Sequence, residues 1–287
     1  MSNKVMKDKT RFTKKEILVV LGCAVFLLIN IGAIGSGGRG KAKRLVCLTN
    51  LKQLTLAWSM YADENDGKIV NGEAYEGGDG MAPVPTVGRH KGELWWTGDG
   101  IAPGYMIGET LPEDIQLKAI KAGALWPYCG DVKLYRCPSG APTNMRHYSI
   151  VDSMNGLYRD GTYVGNSGVI VGETVLWIKN KTDIWFPSPA QRIVFIDEGQ
   201  ITPDSYAVHY LNESWWDPPP VRHGEGTNLS FADGHAEPWT WQGKKTIETG
   251  RMTNQLQQMQ PETPEDFQDL YRMQKGVWGR LGYAPGH

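Results

Sequence analysis

Apolar and polar positions follow three rhythms along this chain, and each predicts a different element. From Ile17 to Ile34 there is no rhythm: the eighteen residues carry one polar side chain, Asn30, and no charge. At ~1.5 Å rise per residue that run is about 27 Å long, just enough for a bilayer core of about 30 Å, so it predicts a transmembrane helix. The next rhythm is helical: Leu45, Leu48, Leu51, Leu54 (with Thr55) and Trp58 recur three and four apart, predicting an amphipathic helix from about Lys41 to Ala62 that stops at Asp63–Gly67. Residues 110–125 and 263–276 predict two shorter helices, the second with Thr263 as cap, Asp266 at the box position and Gly276 as its end. The third rhythm belongs to strands rich in Val, Ile, Tyr and Phe: 132–137, 147–151, 168–178 and 192–198. Residues 228–232 and 235–241 flank Asp233-Gly234, which favours a type I′ hairpin, and Pro238 assigns the second strand to an edge. The expected fold class is α+β: a long N-terminal transmembrane and amphipathic helix packed on a mainly antiparallel sheet with long loops.

Charge sharpens this division. The net charge is −1, but residues 1–44 hold ten Lys/Arg and two Asp/Glu, which leaves the remainder at −9. A body of that sign argues against nucleic acid as a partner, because such affinity comes from clustered Lys and Arg. Six basic residues before the apolar run and four after it predict a cytoplasmic N-terminus. The expected location is therefore the inner membrane, single-pass, with a periplasmic or cell-surface body. The expected parts are a basic leader (1–16), the transmembrane helix (17–34), a linker and amphipathic helix (35–66), the α+β body (67–242) and a C-terminal tail with a short helix (243–287). Cys23 lies in the apolar run, leaving Cys47, Cys129 and Cys137. In an oxidising space one disulfide is the simplest accounting: Cys129–Cys137, with Cys47–Cys137 as the long-range rival. Zinc is disfavoured because the cysteines lack close spacing and nearby His partners.

Five blocks in order resemble a known family. RFTKKEILVV (11–20) is similar to a prepilin N-terminal motif, in which Arg11, Phe12, Thr13 and Glu16 occupy the motif positions. CLTNLKQLTLAWSMYADENDGKIV (47–70), LYRCPS (134–139) with HYSIVDSMNG (147–156), and PAQRIVFIDE (189–198) resemble the segments that follow it. His223, nine residues and then Asp233-Gly234 resemble the His-x9-Asp-Gly signature of the prepilin-processing-associated C-terminal domain. The chain thus resembles the type II secretion pseudopilin and type IV pilin-like superfamily. The resemblance implies a pilin-like fold, a structural rather than enzymatic role, and membrane lipid, other pilin-like subunits or secretion components as partners. Arg11 stands where a processed prepilin has Gly, and Lys14 and Lys15 replace apolar positions. A signal-anchored carbohydrate- or protein-binding module that does not polymerise is the alternative.

Four groups are candidates for chemistry. Trp95-Trp96 and Trp215-Trp216 sit in Gly/Pro-rich loops, where exposed rings would stack on a polysaccharide or dock a partner, unless they fill the core. Asp63, Asn65 and Asp66 suggest calcium, but their spacing is compressed relative to an EF-hand and the late Glu is missing; no other cofactor is expected. His223, Asp233 and His235 offer two imidazoles and a carboxylate, though Asp233 is also the residue a turn requires. Asp197 and Glu198 are adjacent on a strand, point to opposite faces and so form no acid/base pair by themselves. With no nucleophile elbow, phosphate loop or His-Glu-x-x-His motif, an enzyme is not expected.

Overall fold

The computed structural model describes residues 13–15, 17–23, 36–75, 84–86, 90–98, 111–156, 170–199, 204–252 and 259–286. The chain divides into two units, Met1–Ala42 and Lys43–His287. In the first, residues 14–15 and 17–23 are helical, and Ile17 to Leu21 are exposed. The helix α1 (Ser36–Glu64) begins in the first unit and continues in the second.

The expectation of one long transmembrane and amphipathic N-terminal helix is corrected. Among the described residues no helix is long and apolar enough to cross a membrane. The long helix that is present, α1, carries Arg39, Lys41, Lys43, Arg44 and Lys52, charges that a spanning segment does not tolerate along its length. Residues 24–34 of the apolar run, like Arg11, Phe12 and Glu16, lie outside the described residues. What is observed is an α+β body with several small sheets.

Within that body α1 buries Cys47, Asn50, Leu51, Leu54, Thr55, Trp58, Tyr61 and Ala62, positions separated by threes and fours. The buried face is rotated from the expected one, since Leu45 is 65% exposed and Leu48 only half-buried. The rotation admits Asn50, whose amide donates to the carbonyls of Lys133 (3.2 Å) and Arg136 (2.9 Å). The helix ends where Gly67, at φ +80°, donates its N–H to the Ala62 carbonyl (2.8 Å).

The main sheet has four antiparallel strands in the order β3 (Tyr148–Ile150), β6 (Ile193–Asp197), β7 (Gly226–Phe231), β8 (Ala236–Thr240). Both central strands, β6 and β7, are buried throughout, which fits the unbroken apolar run Ile193–Ile196. β8, with Pro238, is an edge strand. The Asp233-Gly234 turn is not type I′: only Gly234 has positive φ (+93°), and Phe231 N–H bonds to His235 O (3.0 Å) around a longer loop. A second sheet pairs β1 (Asn71–Tyr75) with β2 (Trp95–Gly98) in parallel, and β4 (Ile170–Val171) with β5 (Thr174–Val175) forms a small hairpin. Residues 132–135, expected as strand, form a 3₁₀ turn because Asp131 accepts from Lys133 N–H (2.9 Å).

Four further helices complete the body. α2 (Glu113–Ala122) and α3 (Trp126–Cys129) fall within the expected 110–125 region and just beyond it. α4 (Lys244–Arg251) precedes α5 (Pro264–Trp278), which has the Thr263/Asp266 capping box but ends at Gly279 (φ +79°) rather than Gly276. Gly276 serves packing instead: a Cβ there would lie 2.4 Å from Ile193 Cδ1.

A partly buried ion network joins the second sheet to the loops. His90 lies 3.0 Å from Glu73 Oε1 and 2.9 Å from Glu93 Oε2, while Lys179 pairs with Glu93 and Asn155 donates to it (2.9 Å). Burial opposes the charged carboxylate, but hydrogen bonds from His90, Lys179 and Asn155 outweigh it and hold Glu93 at about 2. Burial also opposes the His90 cation, and its two carboxylate partners raise it nonetheless. Glu93 therefore contributes stability above its unfolded value of 4.5, lost as pH falls toward 2. His90 contributes stability below 6.5, lost as pH rises through its raised folded value. Urea titrations across pH should show this network contributing most between about pH 5 and 6.5. The acid limb for Glu93 should amount to on the order of 2–3 kcal/mol, and Glu93→Gln should flatten it.

Candidate functional site

Four elements converge on one buried point. Cys47 comes from α1, Cys137 from the turn after the 132–135 segment, Asp197 from the end of β6, and His223 from the loop that leads into β7. All four are buried, and one ligand atom from each lies within 4.8 Å of every other. The Cys47 thiol lies 3.0 Å from Asp197 Oδ2, His223 Nε2 lies 3.0 Å from the same oxygen, and Cys137 Sγ lies 3.2 Å from His223 Nε2.

Local chemistry fixes each residue. Cys137 sits in a tight turn: Gly140 N–H donates to its carbonyl (3.0 Å) and Ser139 N–H to its sulfur (3.3 Å). Its own N–H donates to His147 Nδ1 (3.0 Å), and His147 Nε2 faces the Ala141 carbonyl (2.8 Å). Burial pushes His147 down to about 4, so the ring is neutral and Nδ1 is free to accept. Gly140 allows this ring to sit close, since a Cβ there would meet it at 2.3 Å. Asp197 is placed by its pairing with Tyr148 and by Thr227 Oγ1, which donates to its carbonyl (2.8 Å). The carbonyl of His223 accepts from the Arg44 guanidinium of α1.

The electrostatics of the group are strongly skewed. Burial pushes the Cys47 thiol up, and neighbouring Cys137 and Asp197 push the same way, so it stays protonated. Cys137 is lowered, chiefly by a hydrogen bond from Cys47 and also by His223, against its burial. Burial disfavours charge on both His223 and Asp197, yet their mutual hydrogen bond prevails: His223 is held up at about 9 and Asp197 is lowered. The arrangement is not a nucleophile relay. A Cys–His–Asp relay places sulfur and carboxylate on different ring nitrogens; here both meet Nε2.

The sequence-derived candidates are distributed differently. His223 is in the cluster, but Asp233 and Gly234 are at the far end of β7, six residues that span roughly 20 Å at ~3.3 Å each. There Asp233 Oδ1 accepts from the His235 backbone (3.0 Å) and contacts its ring nitrogen (2.6 Å), so the His223/Asp233/His235 grouping is not formed. Cys129, Cys137 and Cys47 are all free thiols, and neither expected disulfide is present. Cys129 is half-buried beside Tyr135, outside the cluster. Trp96 and Trp215 are core residues: Trp96 stacks on Tyr135 at 5.9 Å, and Trp215 meets Trp241 edge-on at 5.8 Å. Trp95 and Trp216 are half-buried. The calcium candidates do not converge. Asp63 pairs with Lys181 (2.8 Å), Asn65 Nδ2 caps the Tyr61 carbonyl (2.7 Å), and Asp66 is the exposed αL residue of the turn (φ +55°). Among the described residues the four-residue cluster is the only group placed to hold a metal ion. Thr13 is exposed.

Sequence reasoning treated the cluster's members separately, because their spacing is long: Cys47 and Asp197 are 150 residues apart. A signal was nonetheless present. Four of the five resembling blocks each contain one of these residues: Cys47 in 47–70, Cys137 in 134–139, Asp197 in 189–198, and His223 in the His-x9-Asp-Gly block. No protein-family model, curated protein or solved structure matches this chain.

Proposed function

We propose that this chain is a structural subunit of a secretion- or pilus-like assembly, as its sequence blocks suggest, and that α1 is the element by which copies or sister subunits pack. The observation that supports this reading is a second apolar stripe on α1. Leu45, Val46, Leu56 and Met60 are 65%, 48%, 60% and 41% exposed. At 100° per residue they fall within one quadrant or so of the helix, roughly opposite the face that Leu51, Leu54 and Trp58 bury. Four large apolar side chains aligned on one exposed helical face are suited to a helix–helix contact. Oppositely, α1 is bonded to the sheet through Thr55 Oγ1 to Ser230 Oγ (2.7 Å) and Cys47 to Asp197 (3.0 Å), so force on the helix reaches the body directly. The binding-module alternative loses its strongest candidates, since Trp96 and Trp215 lie in the core.

The test is cross-linking in the native cell. A photoreactive residue at Leu56 or Met60 should capture a second pilin-like chain, and Leu56→Asp with Met60→Asp should abolish capture from Leu45 while leaving the thermal midpoint of the purified chain unchanged. A chain that is captured at none of these positions, and that runs as a monomer when extracted, would refute the assembly reading.

A further inference from the structure

We propose that Cys47, Cys137, Asp197 and His223 form a closed, four-coordinate site for a thiophilic divalent cation of the zinc class. This inference rests on the cluster alone and is independent of the assembly reading above.

Geometry is the first support. A tetrahedral ion with ligand bonds of about 2.0–2.3 Å sets its ligand atoms about 3.3–3.8 Å apart. The observed pairs at 3.0, 3.2 and 3.0 Å, within a set spanning no more than 4.8 Å, need to open by only a few tenths of an ångström. Convergence is the second. The three short contacts run in the order Cys47–Asp197–His223–Cys137, and the two cysteines at the ends of that row also have their sulfurs within 4.8 Å of each other, so the four ligand atoms surround a common centre. The third is independent of these contacts: Asp197 is fully buried, and its Oδ1 finds no hydrogen-bond partner among the described residues. An unpaired carboxylate oxygen at such depth is costly unless the carboxylate serves a cation.

Ligand chemistry selects the metal. Two sulfurs, an imidazole nitrogen and one carboxylate oxygen do not suit calcium or magnesium, which take oxygen shells. They suit zinc, whose structural sites are four-coordinate, tetrahedral and closed. Both cysteines would bind as thiolates and His223 as the neutral ring through Nε2, each of the three releasing one proton to solvent. Three ligand anions against a dication leave one negative charge, and Arg44 is held beside the site by its bond to the His223 carbonyl. Ser139 N–H to the Cys137 sulfur and Thr227 Oγ1 to the Asp197 carbonyl are the outer contacts that orient such ligands. The competing use of the same atoms is a Cys47–Cys137 disulfide, which would expel the ion.

The test uses the full chain, purified under reducing conditions and without a metal-affinity column. Elemental analysis should find about one zinc per chain. Cobalt substitution should give a thiolate-to-cobalt charge-transfer band and the strong visible bands of a tetrahedral ion. Cys47→Ser, Cys137→Ser and His223→Gln should each lower the metal content at least tenfold, and Cys129→Ser should retain it. Should those variants fail to fold, wild-type protein decides the matter: Cys47 and Cys137 should alkylate only after chelation, while chelation leaves the rate at Cys129 unchanged. The proposal is overturned if the reduced chain takes up no zinc, if the ligand variants keep the metal, if chelation does not change the alkylation of Cys47 and Cys137, or if untreated protein yields a Cys47–Cys137 disulfide peptide.

Discussion

Trp58→Ala is expected to destabilise the body by about 3–5 kcal/mol, the range for removing a large buried aromatic ring. Trp58 is completely buried on the inner face of α1, within the main hydrophobic core. For a unit of this size each kilocalorie corresponds to about 2–4 °C, so the thermal midpoint should fall by roughly 6–20 °C. The loss should come from packing alone, because the Trp58 indole N–H has no hydrogen-bond partner among the described residues. Trp58→Phe should therefore cost less than half as much. A polar role for the ring would make Phe nearly as damaging as Ala. Leu56→Ala, two positions away on the exposed stripe, should stay within about 0.5 kcal/mol of wild type, which ties the effect to the face and not to the helix.

Arg192→Ala should be comparably severe, at about 3–4 kcal/mol, for a different reason. Arg192 precedes β6 and is completely buried, and its guanidinium donates to the carbonyls of Val175 (2.8 Å) and Leu176 (3.2 Å). Burial pushes it down to about 9, which leaves it charged at neutral pH. Removing the side chain leaves two buried carbonyls unpaired and opens a cavity between β5 and the end of α5, where Gly279 sits against the same guanidinium. Arg192→Met restores much of the volume without the donors, so it should recover only the cavity part of the loss. Urea denaturation at constant slope measures both variants. Full recovery by Met would mean that the hydrogen bonds contribute nothing.

What could be read from the sequence was mostly what apolar runs encode. Ile193–Ile196 announced a buried strand, and Thr263 with Asp266 announced the start of α5, because each depends on neighbours a few residues away. Elsewhere a nearby polar group overrode the pattern. Val132–Cys137 alternates like a strand, but the Asp131 side chain bends its start into a 3₁₀ turn. Gly276 looked like a helix stop, yet its lack of a side chain serves the contact with Ile193. The Ile17–Ile34 run has the composition of a spanning segment, but the long helix observed is the charged one that follows. The cluster was the least legible part. Asp197 and Glu198 have separate partners: Glu198 accepts from Ser149, while Asp197 acquires its partners from α1, a turn and a distant loop. Spacing rules for metal sites are built on short knuckles, and none of these four residues has a second one close by in sequence.

The long separations within the cluster also set an order of events as the chain is made. Cys47 emerges early and His223 late, after three-quarters of the residues have been joined. Contacts this distant are slow to form, because a large loop must close before any of them gains stability. Until β7 arrives, α1 has neither Ser230 nor His223 to lie against, and its inner apolar face is covered only in part, by earlier segments such as the Lys133–Arg136 turn. The nascent body thus passes through an interval in which its longest helix is adhesive on two sides, and that interval ends only when the loop carrying His223 reaches the sheet.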